Sequence, residues 1–119
     1  LIEVARRRRT VIPIMADATR PETYAPLFEA VNLVYQDVAQ PDQAAIAIRN
    51  CVFLKPGGAL ILMLKTRSVD VRKDPGEVFD ETIAALKSAG FTVQESVWLV
   101  PYHQDHAAIV CVKPAKQRV

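Results

Sequence analysis

The sequence predicts an α/β sandwich on a mostly parallel sheet, with the last strand turned back antiparallel. Three observations carry the prediction. Short apolar runs alternate with stretches of helical pattern, the arrangement that lays helices over a parallel sheet. One run, residues 59–64 (ALILML), is uninterrupted, as expected of a strand covered on both faces. The last two runs, 93–100 and 106–112, lie too close in sequence for a crossover, so they form a hairpin.

Residues 1–9 read as the end of a helix closing in Arg6-Arg7-Arg8-Arg9. Cations are favoured at a helix C-terminus, and the same patch is a candidate phosphate contact. The chain opens without Met and without a capping residue, as a segment cut from a longer chain would. Residues 11–15 (VIPIM) read as a short buried strand, and Pro13 marks it as an edge. A helical turn is expected within 22–28. A second strand, 31–36, ends at Asp37, and a helix follows over 42–53, with Pro41 and Asp42 suited to its start. Residues 54–58 (LKPGG) form a turn into the strand 59–64, which ends at Lys65. A polar, basic loop spans 66–76. The amphipathic helix 77–88 turns Val78, Phe79, Ile83 and Leu86 inward, and Gly90 stops it. The tail from Lys113 is polar.

With 119 residues, half of them hydrophobic, the chain can build one domain with one core. A net charge of +2 implies no strong field over the whole molecule. No apolar run approaches the roughly 20 residues of a membrane helix. Cys51 and Cys111 sit in apolar runs and read as buried thiols of a reducing compartment. The two histidines and two cysteines lack metal-ligand spacing. There is no Gly-x-Gly-x-x-Gly, and Gly57-Gly58 falls in a turn between helix and strand.

Open parallel sheets bind ligands beyond the carboxyl ends of their strands. Three predicted strands end in Asp17, Asp37 and Lys65, and the antiparallel strand begins at His106, so topology brings all four to one rim. Each has a plainer reading: an Asx-turn or cap for the acids, a solvated loop residue for Lys65, a satisfied structural histidine for His106. Asp42, Asp70, Asp74 and Asp80 read as caps or solvated carboxylates, and His103 as a loop residue. On these grounds alone the chain is an α/β enzyme or a nucleotide binder.

The runs DVAQPDQ (37–43), VIPIMADATRP (11–21), LKPGGALILMLKTRSVD (54–70) and PYHQDHAAIV (101–110) cover most of the chain. Together they resemble the fibrillarin family, and TRSVDVRKDP resembles its archaeal members. The resemblance implies a Rossmann-like fold dependent on S-adenosyl-L-methionine. It implies 2′-O-methylation of rRNA or tRNA within a box C/D guide ribonucleoprotein. The implied partners are guide RNA, target RNA, a Nop-domain scaffold protein and a kink-turn-binding protein, with no membrane. The implied location is the cytoplasm of an archaeon, or the nucleolus of a eukaryote. Asp17 and Ala18 match the pair that holds the cofactor's adenine. Asp37, Val38, Ala39 and Gln40 match the loop beneath the methionine and methyl group. Asp37, Lys65 and His106 match three members of a Lys-Asp-Lys-His catalytic tetrad. His103 and Gln104 stand where charged residues are common in the family.

The family strand order, 3-2-1-4-5-7-6, implies that residues 1–119 are the C-terminal part of a single methyltransferase domain. The first two strands, the Gly-rich cofactor loop and the first tetrad Lys are missing, so the run 11–15 has no neighbour to pair with, and either a longer chain or a partner is expected to supply the missing half. Two competing expectations are a non-catalytic fragment or interaction module, and a small-molecule methyltransferase of the same fold. The hairpin and the Asp37 loop argue against the latter.

Overall fold

The structure, a computed structural model, describes residues 2–101 and 105–114. Its sheet has strands β1 (Val31–Gln36), β2 (Leu54–Lys65), β3 (Thr92–Trp98) and β4 (His106–Val112), in the order β1-β2-β4-β3. β1 is parallel to β2, and β4 is antiparallel to both β2 and β3. The mixed sheet and the closing hairpin are as the sequence predicts. The helices are α1 (Ile2–Arg7), α2 (Gln43–Asn50), α3 (Thr66–Val69) and α4 (Pro75–Ser88), with 3₁₀ turns at Pro21–Thr23, Ala25–Leu27 and Cys51–Phe53.

Period-two alternation builds the core. Leu60, Leu62 and Leu64 of β2 and Ala107, Ile109 and Cys111 of β4 are fully buried on one face. Ile46 and Ala47 of α2 and Val78 and Leu86 of α4 are also fully buried, and α2 and α4 touch each other over the sheet. Each buried Leu or Ile contributes about 1.5 to 3 kcal/mol relative to exposure. Phe79 packs on Trp98 of β3, ring centroids 5.1 Å apart. α4 starts where Asp74 Oδ2 accepts from the Gly76 N–H at 3.2 Å with Pro75 following, and ends before Gly90, whose φ of 96° turns the chain.

Several expectations are corrected. Residues 11–15 form no strand, and Ile12 and Met15 are 78% and 102% exposed. Apolar β-formers make a strand only beside a partner that takes their backbone bonds, and none lies beside this run among the described residues. The run 59–64 is not covered on both faces. Ile61 and Met63 are half-buried, and Leu33 and Tyr35 are 51% and 59% exposed. The expected turn at 54–58 lies inside β2 as a bulge, since Val31 pairs with Leu54 but Leu33 with Ala59. Glycine is required there. A Cβ on Gly58 would stand 2.8 Å from Lys55 O and 2.9 Å from Asn32 O. The basic loop contains the short α3. His103, the hairpin tip and the tail from residue 115 lie outside the described residues. No helix among the described residues is long and apolar enough to cross a membrane.

Candidate active site

β1 ends at Gln36, opposite Leu62, whereas β2 runs on to Lys65. The offset makes a shelf at the carboxyl edge of the sheet. On it Lys65 lies directly across the ladder from His106. Their backbone groups point away from each other: the N–H and C=O of Lys65 meet the side chain of Gln43, and His106 O accepts from Leu99 N at 3.0 Å. In such a pair the Cα atoms approach to about 4.5 Å and the side chains share a face. That face is the half-covered one, because Lys65 alternates with buried Leu64 and His106 with buried Ala107.

Asp37 follows buried Gln36 and falls on the same face. Its Oδ1 contacts Lys65 Nζ in an ion pair. Asp37, Met63, Leu64, Lys65, Leu99 and His106 line a cavity of about 250 Å³. The side chains of Lys65 and Asp37 are 26% and 48% exposed, so the pair contributes at most about 1 kcal/mol to stability. It holds the Lys65 ammonium at the cavity that His106 also lines.

Buried polar groups hold this edge. Thr66 donates both its N–H and its Oγ1 to Asp105 O, each at 2.9 Å, which ties the end of β2 to the residue before His106. Gln43 is fully buried. Its Nε2 donates to Lys65 O at 3.0 Å and its Oε1 accepts from Lys65 N at 3.1 Å. Gln43 O accepts from Gln36 Nε2 at 2.8 Å. Sequence reasoning passed over Gln43 as a site residue. The available signal was its place on the apolar stripe of α2, three and four residues before Ile46 and Ala47.

Asp17 forms an Asx-type turn through one carboxylate oxygen. Its Oδ1 accepts from Thr19 Oγ1 at 2.7 Å and from Thr19 N at 2.9 Å. The Thr19 hydroxyl, then the Thr19 N–H, hold its carboxyl below the usual range. Oδ2 takes part in neither bond. Ala18 O accepts from Asn50 Nδ2 at 2.8 Å, and Arg49 Nη1 donates to Thr19 O at 3.1 Å. Asn50 ends α2 and Gln43 begins it, so the anchors of Ala18 and of Lys65 are separated by about 10 Å of helix at 1.5 Å per residue. The structure therefore brings Asp37, Lys65 and His106 together and leaves Asp17 outside their cavity. The expected four-residue rim is corrected to three residues, because residues 11–15 join no sheet that would carry Asp17 there. Ala18 instead lines an apolar cavity of about 190 Å³ with Ile14, Ala16, Tyr24 and Phe28. In the loop after β1, Val38 is half-buried while Ala39 and Gln40 are exposed.

Cys51 and Cys111 are free and buried, and burial pushes both thiols up to about 11. Among the described residues no group of three or more His, Cys, Asp and Glu could hold a metal.

A mixed sheet of this order, with polar residues at its carboxyl edge, has the fold of the Rossmann-like methyltransferases that depend on S-adenosyl-L-methionine. The family model Fibrillarin matches residues 1–115, and the chain belongs to the fibrillarin family. A relative from Methanoculleus marisnigri, a fibrillarin-like rRNA/tRNA 2′-O-methyltransferase, is 66% identical over 111 residues, 93% of this chain and 55% of that protein. A solved fibrillarin/Nop5p complex matches with a TM-score of 0.89 at 35% identity, covering 94% of this chain and 54% of that one. Aeropyrum pernix fibrillarin, in complex with natively bound S-adenosyl-L-methionine, matches with a TM-score of 0.81 at 44% identity, covering 93% and 49%. The chain spans about half the length of the curated relatives it matches.

Proposed function

We propose that these residues are the C-terminal part of a single methyltransferase domain that transfers a methyl group to a ribose 2′-hydroxyl of rRNA or tRNA. The observation that carries the reading is the Asp37–Lys65 ion pair beside His106 on an open sheet edge. Exposed Leu33 and Tyr35 support further chain covering the half-covered face, and the run 11–15, which joins no strand, supports further strands in the sheet. The names of the relatives support RNA as substrate.

S-adenosyl-L-methionine supplies a methyl group on a sulfonium centre. Two features of this chain fit it. The apolar cavity at Ala18 suits a flat adenine ring, with Asp17 Oδ2 left to accept from its amino group. The loop of Asp37, Val38, Ala39 and Gln40, exposed except at half-buried Val38, lies where the methionine end would reach the rim. The two anchor points stand apart, as the two ends of the cofactor do. At the rim Asp37 aims the Lys65 ammonium, which stabilises negative charge developing on the ribose O2′, and the half-exposed Asp37 carboxylate takes the hydroxyl proton as the O2′–methyl bond forms and the sulfonium–methyl bond breaks. His106, across the ladder, positions the ribose, and such alignment supplies much of the rate.

The solved complex with Nop5p supports a Nop-domain scaffold as partner. Guide RNA and a kink-turn-binding protein complete the proposed assembly, with target choice left to base pairing. The relatives are archaeal, which supports action in an archaeal cytoplasm. The test is methyl transfer by the full-length protein assembled with these partners. Label from S-adenosyl-L-methionine is expected on the guide-paired nucleotide and is lost when that nucleotide is 2′-deoxy. Label that survives the 2′-deoxy substitution refutes the reading.

A further inference from the structure

We infer that Gln43 is a positioning residue for methyl transfer, its buried amide fixing the backbone of Lys65 and so the reach of Nζ toward Asp37. The inference rests on the proposed role of Lys65. It starts from the offset at the sheet edge. β1 stops opposite Leu62, so the N–H and C=O that Lys65 turns toward it have no strand to meet. The carboxamide of Gln43 places an N–H donor and a carbonyl acceptor side by side, donating to Lys65 O at 3.0 Å and accepting from Lys65 N at 3.1 Å. It acts as one more rung of the ladder where the strand has left.

Glutamate in place of Gln43 could accept from the Lys65 N–H but not donate to the carbonyl, and methionine could do neither. The same residue closes the loop above it. Gln36, just before Asp37, donates to Gln43 O at 2.8 Å, and Gln36 is 6% exposed. Both ends of the loop 37–42 and the end of β2 are thus joined in one buried chain of hydrogen bonds, Gln36 to Gln43 to Lys65. Asp37 and Lys65 emerge from the two strands that this chain holds together.

A purely structural amide would lower stability and act on rate independently of Lys65. A positioning amide acts through Lys65. The test compares single-turnover methylation by the assembled full-length enzyme in Gln43→Met, Gln43→Glu, Lys65→Ala and the double variants, at saturating cofactor. Since a misplacement of about 1 Å can cost about 100-fold, Gln43→Met is expected to lose roughly 10- to 100-fold in rate with cofactor affinity little changed. In the Lys65→Ala background the same substitution should cost less than about 3-fold. Gln43→Glu should regain rate, relative to the unsubstituted enzyme at the same pH, as acid protonates the new carboxyl and restores its donor. An equal fractional loss with and without Lys65, or no loss at all, overturns the proposal.

Amide hydrogen exchange separates this from failure of the proposed Lys65 role. The Lys65 N–H should be protected in the unsubstituted protein, although it lies beyond the last β1 pair, and should exchange faster in the Gln43 variants. An unprotected Lys65 amide overturns the positioning role whether or not the variants fold. Full activity of Lys65→Ala with a protected Lys65 amide refutes the role of Lys65 and leaves Gln43 a structural bracket, which also overturns the proposal.

Discussion

Replacing Lys65 by alanine should remove most methyl transfer while leaving the fold intact, and the structure sets both magnitudes. The ion pair to Asp37 joins side chains that are 26% and 48% exposed, so its loss costs no more than about 1 kcal/mol of stability. Lys65 lies on the half-covered face, away from Leu62, Leu64 and Ile109, so truncation opens no core cavity. The barrier should respond more strongly. Removing a group aimed at a developing oxyanion typically costs about 10²- to 10³-fold, or about 3 to 4 kcal/mol at 1.36 kcal/mol per decade. Asp37→Ala should lose a similar factor, and the double variant should lose less than the product of the two, because the residues act as one pair. The assay is single-turnover methylation in the assembled complex at two cofactor concentrations, with urea unfolding of each variant alongside. Recovery of Lys65→Ala at the higher concentration would make Lys65 a binding residue. A fall in stability matching the fall in rate would make it structural. Either result refutes the reasoning.

Asp17→Ala should weaken cofactor binding roughly tenfold through a lost charged acceptor, and raising the cofactor concentration should restore its rate, which Lys65→Ala does not allow. Gly58→Ala should destabilise by about 1 to 3 kcal/mol in urea unfolding, because the added Cβ meets backbone oxygens at 2.8 and 2.9 Å and cannot move them without disturbing the β1–β2 bulge. The two thiols stand at about 11 in the fold against 9.0 ordinarily. The unfolded chain therefore ionises first, and stability should be level below about pH 9 and fall as pH rises from there toward 11. Iodoacetamide should label both cysteines far more slowly in the folded protein than in urea at pH 8, and equal rates would contradict their burial. Calorimetry of residues 1–119 alone should show no micromolar binding of S-adenosyl-L-methionine, because the chain carries no Gly-x-Gly-x-x-Gly loop.

Features set by neighbouring residues were legible without the structure. The strands 31–36 and 106–112 appear with the bounds read from their apolar runs, and the inward set of α4, Val78 and Leu86 with Phe79 and Ile83 beside them, follows from period 3.6. The meeting of Asp37, Lys65 and His106 was also legible, because a parallel strand's end and an antiparallel strand's start share an edge whatever the packing details. What remained hidden depends on partners far away in sequence. Residues 11–15 are as apolar and β-branched as a strand needs, yet no local pattern reports whether a neighbour exists to take their backbone bonds. The bulge at Gly58 answers to Asn32 on another strand. Gln43 stands on the apolar stripe of α2, but what its amide binds shows only once β1 is seen to stop short of Lys65. Apolar periodicity states which side of an element avoids water. It does not state which backbone groups are left over once the elements have packed, and it was those leftover groups, at Lys65, that the tertiary structure assigned to Gln43.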